Sequence, residues 1–366
     1  MRLTLSEFAS AARSRLAPGI WDFFEGGAGE ERTLAANAAA FDRLWLRPRV
    51  LCGTARPETA ITILGRSWDA PVAVAPLGYH TLAHPLGELA TVRGTAAAAR
   101  VPVVISTFAG RSIEELAAAG GGPLWLQVYC LRDRAMTRRL VERAEVAGFE
   151  ALVLTVDTPH MGRRLRDLRN GFRLPPGIVP ANLDGHDFTV PAAHAKAEFA
   201  PLDWSVVDWL RSVSPLPVLL KGILTDADAA RAVEAGADGI VVSNHGGRQL
   251  DGVPATLDVL PEIVTAVDGR IPVLLDGGVR RGRDVLAALA LGADAVLVGR
   301  PILHGLAVDG DQGVTDVLNV LLGELTDAMA LSGLRGLADI DPELVRPAAD
   351  AGEGVRRHRV DAVLQR

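Results

Sequence analysis

Eight times between residues 71 and 298 the chain repeats one phrase: a short apolar run, a polar end, then an Ala-, Leu- and Glu-rich stretch at helical spacing. The runs are Pro71–Ala75, Pro102–Ile105, Leu124–Val128, Ala151–Thr155, Pro217–Lys221, Gly239–Ser243, Ile271–Leu275 and Ala295–Val298. Each is apolar nearly throughout, as a parallel strand covered on both faces must be. Helical patterns fill the gaps, among them Gly87–Ala99, Ser112–Ala119, Ala135–Ala147, Asp226–Ala235 and Gly282–Leu291. Eight such units predict an α/β fold, a closed (β/α)8 TIM barrel. A doubly wound sheet would show fewer strands and a glycine-rich first turn. No Gly-x-Gly-x-x-Gly follows any run, which also argues against a nicotinamide site.

Two regions fall outside the repeat. Residues 1–70 predict an N-terminal extension of helices and a small hairpin, capping the bottom or flank of a barrel spanning 71–335. The fourth connection, Thr158–Pro215, is far longer than its siblings and rich in Pro, Gly and Asn. Such a segment predicts a lid over the mouth from Arg164 to about Trp204, disordered near Asp184–Ala200; a surface excursion without a role competes. Residues 336–366 are a tail, and the whole chain reads as one domain. Hydrophobic residues make up 49% of its 366 and charged ones only 22%, enough for a large core. The net charge of −6, with Arg and Glu interspersed, offers no basic face for nucleic acid. No run is long enough to span a bilayer, and Met1–Arg15 lacks the apolar centre of a signal peptide. Cys52 and Cys130 make neither a disulfide framework nor a metal motif, so the expectation is a cytoplasmic protein without a metal.

In a barrel the C-terminal strand ends share one mouth, where chemistry is placed. Here they carry Pro76-Leu77-Gly78, Ser106, Gln127 with Tyr129, Thr155 with Asp157, Lys221, Ser243 with His245, Asp276-Gly277-Gly278-Val279-Arg280, and Gly299-Arg300. The loop Ser243–Gly252, SNHGGRQLDG, is the densest of these. His245 can take a proton near neutral pH, Arg248 offers a fork of donors to a carboxylate or phosphate, and Gly246 and Gly247 leave the backbone open to a flat ligand. The last two strand ends bring Gly277, Gly278, Gly299, Arg280 and Arg300 to helix N-termini, a phosphate site found in many barrels. Asp276 stands beside it. Lys221, ending an apolar strand, points into the mouth as an electrostatic partner or as a Schiff-base amine.

SNHGGRQLDG resembles the signature of the FMN-dependent α-hydroxy acid oxidases and dehydrogenases, the glycolate oxidase, lactate oxidase and mandelate dehydrogenase group. The resemblance runs from about Trp21 to Leu334. It implies FMN as cofactor, with Pro76, Leu77, Gly78, Ser106, Gln127, Thr155 and Ser243 around the flavin, Asp276 on the ribityl hydroxyls and Lys221 at the pyrimidine edge. It further implies His245 as base, Asp157 orienting it, Tyr129 donating to the substrate oxygen, and Arg164 with Arg248 clamping the carboxylate. For Asp157 a helix N-cap competes, and for Arg164 a lid salt bridge.

Glycolate-type members carry tyrosine where this chain has Phe23, and several carry tryptophan where it has Phe108. Both changes point to a substrate with an aromatic or bulky group. The segments WDFFEGGAG, STFAGRS, HMGRRLRDLRNGF and Tyr79-His80 resemble the 4-hydroxymandelate oxidases of actinobacterial antibiotic pathways, a branch of that group. The reaction implied is oxidation of an (S)-2-hydroxy acid to the 2-oxo acid, with O2 reduced to H2O2, by a homotetramer. A dehydrogenase using a quinone or cytochrome, an oxidative decarboxylase and a barrel isomerase are the alternatives.

Overall fold

The structure, a computed structural model, describes residues 2–54, 56–183 and 199–348. The extension supplies three helices, α1 (Leu5–Arg15), α2 (Pro18–Glu25) and α3 (Arg32–Asp42), then strands β1 (Leu44–Leu46), β2 (Ile61–Ile63) and β3 (Arg66–Trp68). The barrel strands follow: β4 (Val72–Val74), β5 (Val103–Ile105), β6 (Leu124–Val128), β7 (Ala151–Thr155), β8 (Val218–Ile223), β9 (Gly239–Val242), β10 (Val273–Asp276) and β11 (Ala295–Val298). They run parallel and in sequence order, and β11 closes on β4 through Val296↔Val72, Leu297↔Ala73 and Val298↔Val74. Several strands begin one or two residues late because Pro71, Pro102, Pro217 and Pro272 cannot donate a ladder hydrogen bond. Their carbonyls accept instead from Val296, Val74, Leu152 and Ile240.

Alternation along each strand explains where the polar ends point. Trp125, Val153, Leu219, Val241, Leu274 and Leu297 form one buried cluster inside the barrel, while their neighbours Leu126, Leu152, Leu220, Ile240, Leu275 and Val296 face the helices. Counting two residues on from the inner set gives Gln127, Thr155, Lys221, Ser243, Asp276 and Gly299 at the mouth. β8 contains one irregularity, a register shift between Lys221 and Ile223. Gly222 absorbs it at φ +119°, and a β-carbon there would stand 2.6 Å from that of Asp157.

The extension divides between the two ends of the barrel. The β2–β3 hairpin plugs the bottom, with Trp68 packed edge-on against Trp125 at 5.4 Å. α2, by contrast, reaches the mouth, a correction to the expectation that residues 1–70 cap only the bottom or flank. α3 lies against the His245 loop, locked by reciprocal 2.8 Å bonds between the Asn37 and Asn244 amides. The tail is partly structured, since β12 (Val345–Pro347) pairs antiparallel with β1.

Within the long connection, a short helix, Leu165–Asn170, follows Arg164. The disorder expected at Asp184–Ala200 falls mostly on residues 184–198, which lie outside the described residues. Phe199 and Ala200 are buried, and the Ala200 amide donates to the Cys130 carbonyl at 2.9 Å, so that end is anchored. Trp68 is 1% exposed. Replacing it with alanine opens a cavity at the bottom of the barrel, and urea denaturation should show a loss of about 3–5 kcal/mol; a loss below ~1 kcal/mol would mean that the hairpin is only a cover.

Candidate active site

The loop after β9 turns sharply, placing His245 at φ +57°, a conformation uncommon for a residue with a β-carbon. Its amide donates to Ser243 Oγ at 3.1 Å, and Asn244 Oδ1 accepts from the Gly247 amide at 3.0 Å. The imidazole Nδ1 lies 2.9 Å from Asp157 Oδ1. An ionised carboxylate can only accept, so Nδ1 carries the hydrogen and Nε2 is left as an acceptor, 3.4 Å from Tyr129 Oη. Burial depresses the His245 pKa below 6.5, outweighing the opposite pull of Asp157. Burial alone would raise Asp157, but His245, Lys221 and the Thr158 hydroxyl hold it below the usual carboxylate range. The pair at neutral pH is therefore a neutral imidazole on a carboxylate, ready to take a proton. No helix begins at Thr158, which removes the N-cap reading of Asp157.

Lys221 is 4% exposed, with Nζ 2.8 Å from Asp276 Oδ2 and donating to Ser243 Oγ at 2.8 Å. Burial works against its charge, but Asp276 and Asp157 together raise its pKa. An ammonium so held is not the free amine that Schiff-base chemistry needs. Along the neighbouring strand ends, Gln127 Oε1 accepts from Ser106 Oγ at 3.3 Å while its Nε2 donates to Thr155 Oγ1 at 3.0 Å.

One cavity gathers nearly every residue that the sequence singled out. Ser106, Gln127, Thr155, Lys221 and Asp276 line it with Pro76, Leu77 and Gly78. Gly277, Gly278, Arg280, Gly299 and Arg300 form its far end; Tyr129, His245, Arg164, Arg248, Phe23 and Phe108 surround its opening. Asp157 and Ser243 stand behind this lining, acting on it through His245 and Lys221.

The arginines differ among themselves. Arg300 donates to the carbonyls of Phe24 and Gly246 at 3.0 and 3.2 Å, so its guanidinium joins α2 to the His245 loop while lining the cavity. Burial brings its pKa down to about 10. Arg248 Nη1 donates to the Gly26 carbonyl at 2.6 Å, and its guanidinium lies 5.5 Å from the Phe23 ring centre. Burial and the neighbouring Arg164 and Arg300 push its pKa well down. Arg164 Nε is buried and has no hydrogen-bond partner among the described residues. Two crowded, desolvated guanidiniums make a strong carboxylate site, since an incoming anion relieves their repulsion.

The cavity fits FMN on its own evidence. Asp276 Oδ1 is buried with no hydrogen-bond partner among the described residues, an acceptor suited to a hydroxyl. Gly78 faces Phe108, whose β-carbon would be 3.3 Å from any side chain added, so this wall is as thin as it can be. Lys221 holds a positive charge at one end and Arg280 at the other. Gly278 also has a packing reason: its φ is +91°, and an added β-carbon would strike the Asn37 carbonyl of α3.

A closed barrel whose mouth joins an imidazole–carboxylate pair, crowded buried guanidiniums and an unpaired buried acceptor suits one class, the flavin-dependent hydroxy acid oxidoreductases. The family described as FMN-dependent dehydrogenase matches residues 12–347. A 4-hydroxymandelate oxidase from Amycolatopsis orientalis is 50% identical over 339 residues, covering 90% of this chain and 94% of that one. An L-lactate oxidase from Nostoc sp. is 49% identical, covering 93% and 96%. A crystal structure of mandelate oxidase with (S)-4-hydroxymandelic acid superposes with TM-score 0.90 at 48% identity, over 94% of this chain and 99% of that one. The chain belongs to the FMN-dependent dehydrogenase family, within its 2-hydroxy acid oxidases, and FMN is its cofactor.

Sequence reasoning missed several neighbours. Tyr79, Met161 and Phe199 also line the cavity, with Phe199 stacked on Tyr129 at 4.5 Å. Half-buried Glu25 pairs with His304 at 2.8 Å, and although desolvation would raise it, His304, Arg300 and Arg280 bring it to about 2. The apolar tract holding His304 gave no signal of a carboxylate 279 positions away. In the holoenzyme the His245 ring should titrate below pH 6.5, its proton-bound state being lost early because burial disfavours the cation. Asp157→Asn, removing the upward pull, should lower the midpoint further. NMR of 13C-labelled histidine reads both, and a midpoint above 6.5 would overturn this description of the pair.

Proposed function

We propose that the chain oxidises an aromatic (S)-2-hydroxy acid, mandelate or 4-hydroxymandelate, to the 2-oxo acid, with O2 reduced to H2O2. One observation carries the choice: the carboxylate clamp opens onto a wall of Phe23, Tyr79, Phe108, Phe199 and Met161. Phe23 stacks on Phe172 at 4.6 Å, so the clamp has an apolar flank where a hydroxyl would suit small polar acids. The relatives named for mandelate and 4-hydroxymandelate support the same substrate class.

In this reading Arg164 and Arg248 take the substrate carboxylate and set the α-carbon in line. The α-hydroxyl proton passes to His245 Nε2, and Asp157 stabilises the imidazolium so formed. Tyr129 donates to the substrate oxygen, and Lys221 stays cationic throughout. Bound FMN supplies the two-electron acceptor. Free Cys52 and Cys130 suit a reducing cytoplasm, and exposed Val50, Leu51 and Leu331 suit burial in a homotetramer.

An anaerobic absorbance titration with (S)-mandelate and (S)-4-hydroxymandelate tests the reaction. The flavin should bleach with either, then recolour on admission of air with release of peroxide. Bleaching without fast reoxidation would mean a dehydrogenase, and benzoate-type products would mean oxidative decarboxylation. His245→Ala should keep its FMN but lose roughly a hundredfold or more in turnover. Phe23→Tyr should shift kcat/KM toward glycolate and lactate and away from mandelate; a ratio that does not move would reduce Phe23 to packing.

A further inference from the structure

Tyr79 stands on the aromatic wall with a polar group that the reaction above does not use. It is 3% exposed and lines the cavity. Its ring stacks on Phe108 at 5.9 Å and 12°, and lies 6.3 Å from that of Phe23. The backbone is held at φ +59°, a conformation costly for a tyrosine and kept only where the surroundings over-determine it. The Tyr79 amide donates to the Phe108 carbonyl at 3.1 Å, and its own carbonyl accepts from Leu82 at 2.9 Å. Buried Glu88 ties the two loops together, its Oε1 accepting from the amides of His80 and Gly110 at 3.0 Å each. The ring is therefore fixed in place.

Its hydroxyl makes no hydrogen bond to any described residue, whereas the second tyrosine of the cavity, Tyr129, faces His245. Burial raises the Tyr79 pKa, so the phenol stays protonated and can both donate and accept. Phe108 packs on Tyr79 and also, at 5.4 Å, on Tyr129. Tyr79 thus stands one ring removed from the reacting pair, beside the space for the substrate's side group. A hydroxyl open to the cavity, without a partner among the described residues and set on an apolar wall, favours a ligand that brings one and disfavours the analogue that lacks it.

We propose that the Tyr79 hydroxyl hydrogen-bonds a hydroxyl on the aromatic ring of the substrate, making this site selective for hydroxyphenyl over phenyl 2-hydroxy acids. The assignment rests on the aromatic hydroxy acid reading and narrows it. Tyr79→Phe tests it, since phenylalanine keeps the ring stack and removes one oxygen. Two ratios are measured on wild-type and variant holoenzyme. One is kcat/KM for (S)-4-hydroxymandelate against (S)-mandelate. The other is Kd for phenylacetate against 4-hydroxyphenylacetate, non-oxidisable ligands read by perturbation of the flavin spectrum.

Wild type should favour the hydroxylated member of each pair by about tenfold, and the variant should bring both ratios close to one, through KM more than kcat. Equal handling of both members by wild type would overturn the assignment. So would ratios that the variant leaves unchanged while both mandelates still reduce the flavin. Failure of either mandelate to reduce the wild-type flavin would instead overturn the underlying substrate reading, and this selectivity with it.

Discussion

Closure of the barrel between β11 and β4 is the constraint on which the site depends. Once eight parallel strands share one closed ladder, alternate side chains of every strand must point inward. The inner positions are apolar for most of their depth, and the last of them on β6, β7, β8 and β10 and just past β9 are Gln127, Thr155, Lys221, Asp276 and Ser243. One residue of slippage in any strand would exchange such a group for a leucine or valine and send it among the helices. The polar mouth and the apolar core are thus two consequences of the same register.

Charge then decides what the mouth can hold. Lys221, Arg164, Arg248, Arg280 and Arg300 converge on one largely buried space with Asp276 in its lining, and Asp157 and Glu25 act on it from behind. Buried cations in excess are costly unless an anion or a set of carbonyls meets them. Arg300 and Arg248 use the carbonyls of Phe24, Gly26 and Gly246, which is also how the N-terminal extension is fastened to the mouth. The remaining deficit matches a phosphate at one end and a carboxylate at the other. The shape of the mouth and its charge are coupled here, because guanidiniums that line the cavity are also structural struts.

Reactivity comes from separation within this charged space. His245 is kept neutral by burial and Asp157 ionised by its partners, so one proton position is open and its orientation is set from behind. Gly222 makes the arrangement possible, since only a residue without a side chain lets β8 bulge past Asp157. An aromatic wall lines the same cavity, drawn from α2, two βα loops and the long connection.

The sequence by itself determined the barrel, the eight strand ends and the His245–Arg248 loop, because strand period and local loop chemistry are written over a few adjacent residues. Ser106, Gln127, Thr155, Lys221 and Asp276 were legible for that reason, as strand-end positions of a known period. Only the tertiary structure decided that Asp157 and Ser243 work from behind the lining, and that Arg300 binds backbone carbonyls. It alone brought Phe199 onto Tyr129, Glu25 onto His304 and Tyr79 between Phe108 and Phe23. Those contacts join residues dozens to hundreds of positions apart, on elements of different period. No pattern within either segment records the other, so they exist only once the closed barrel has brought the segments together.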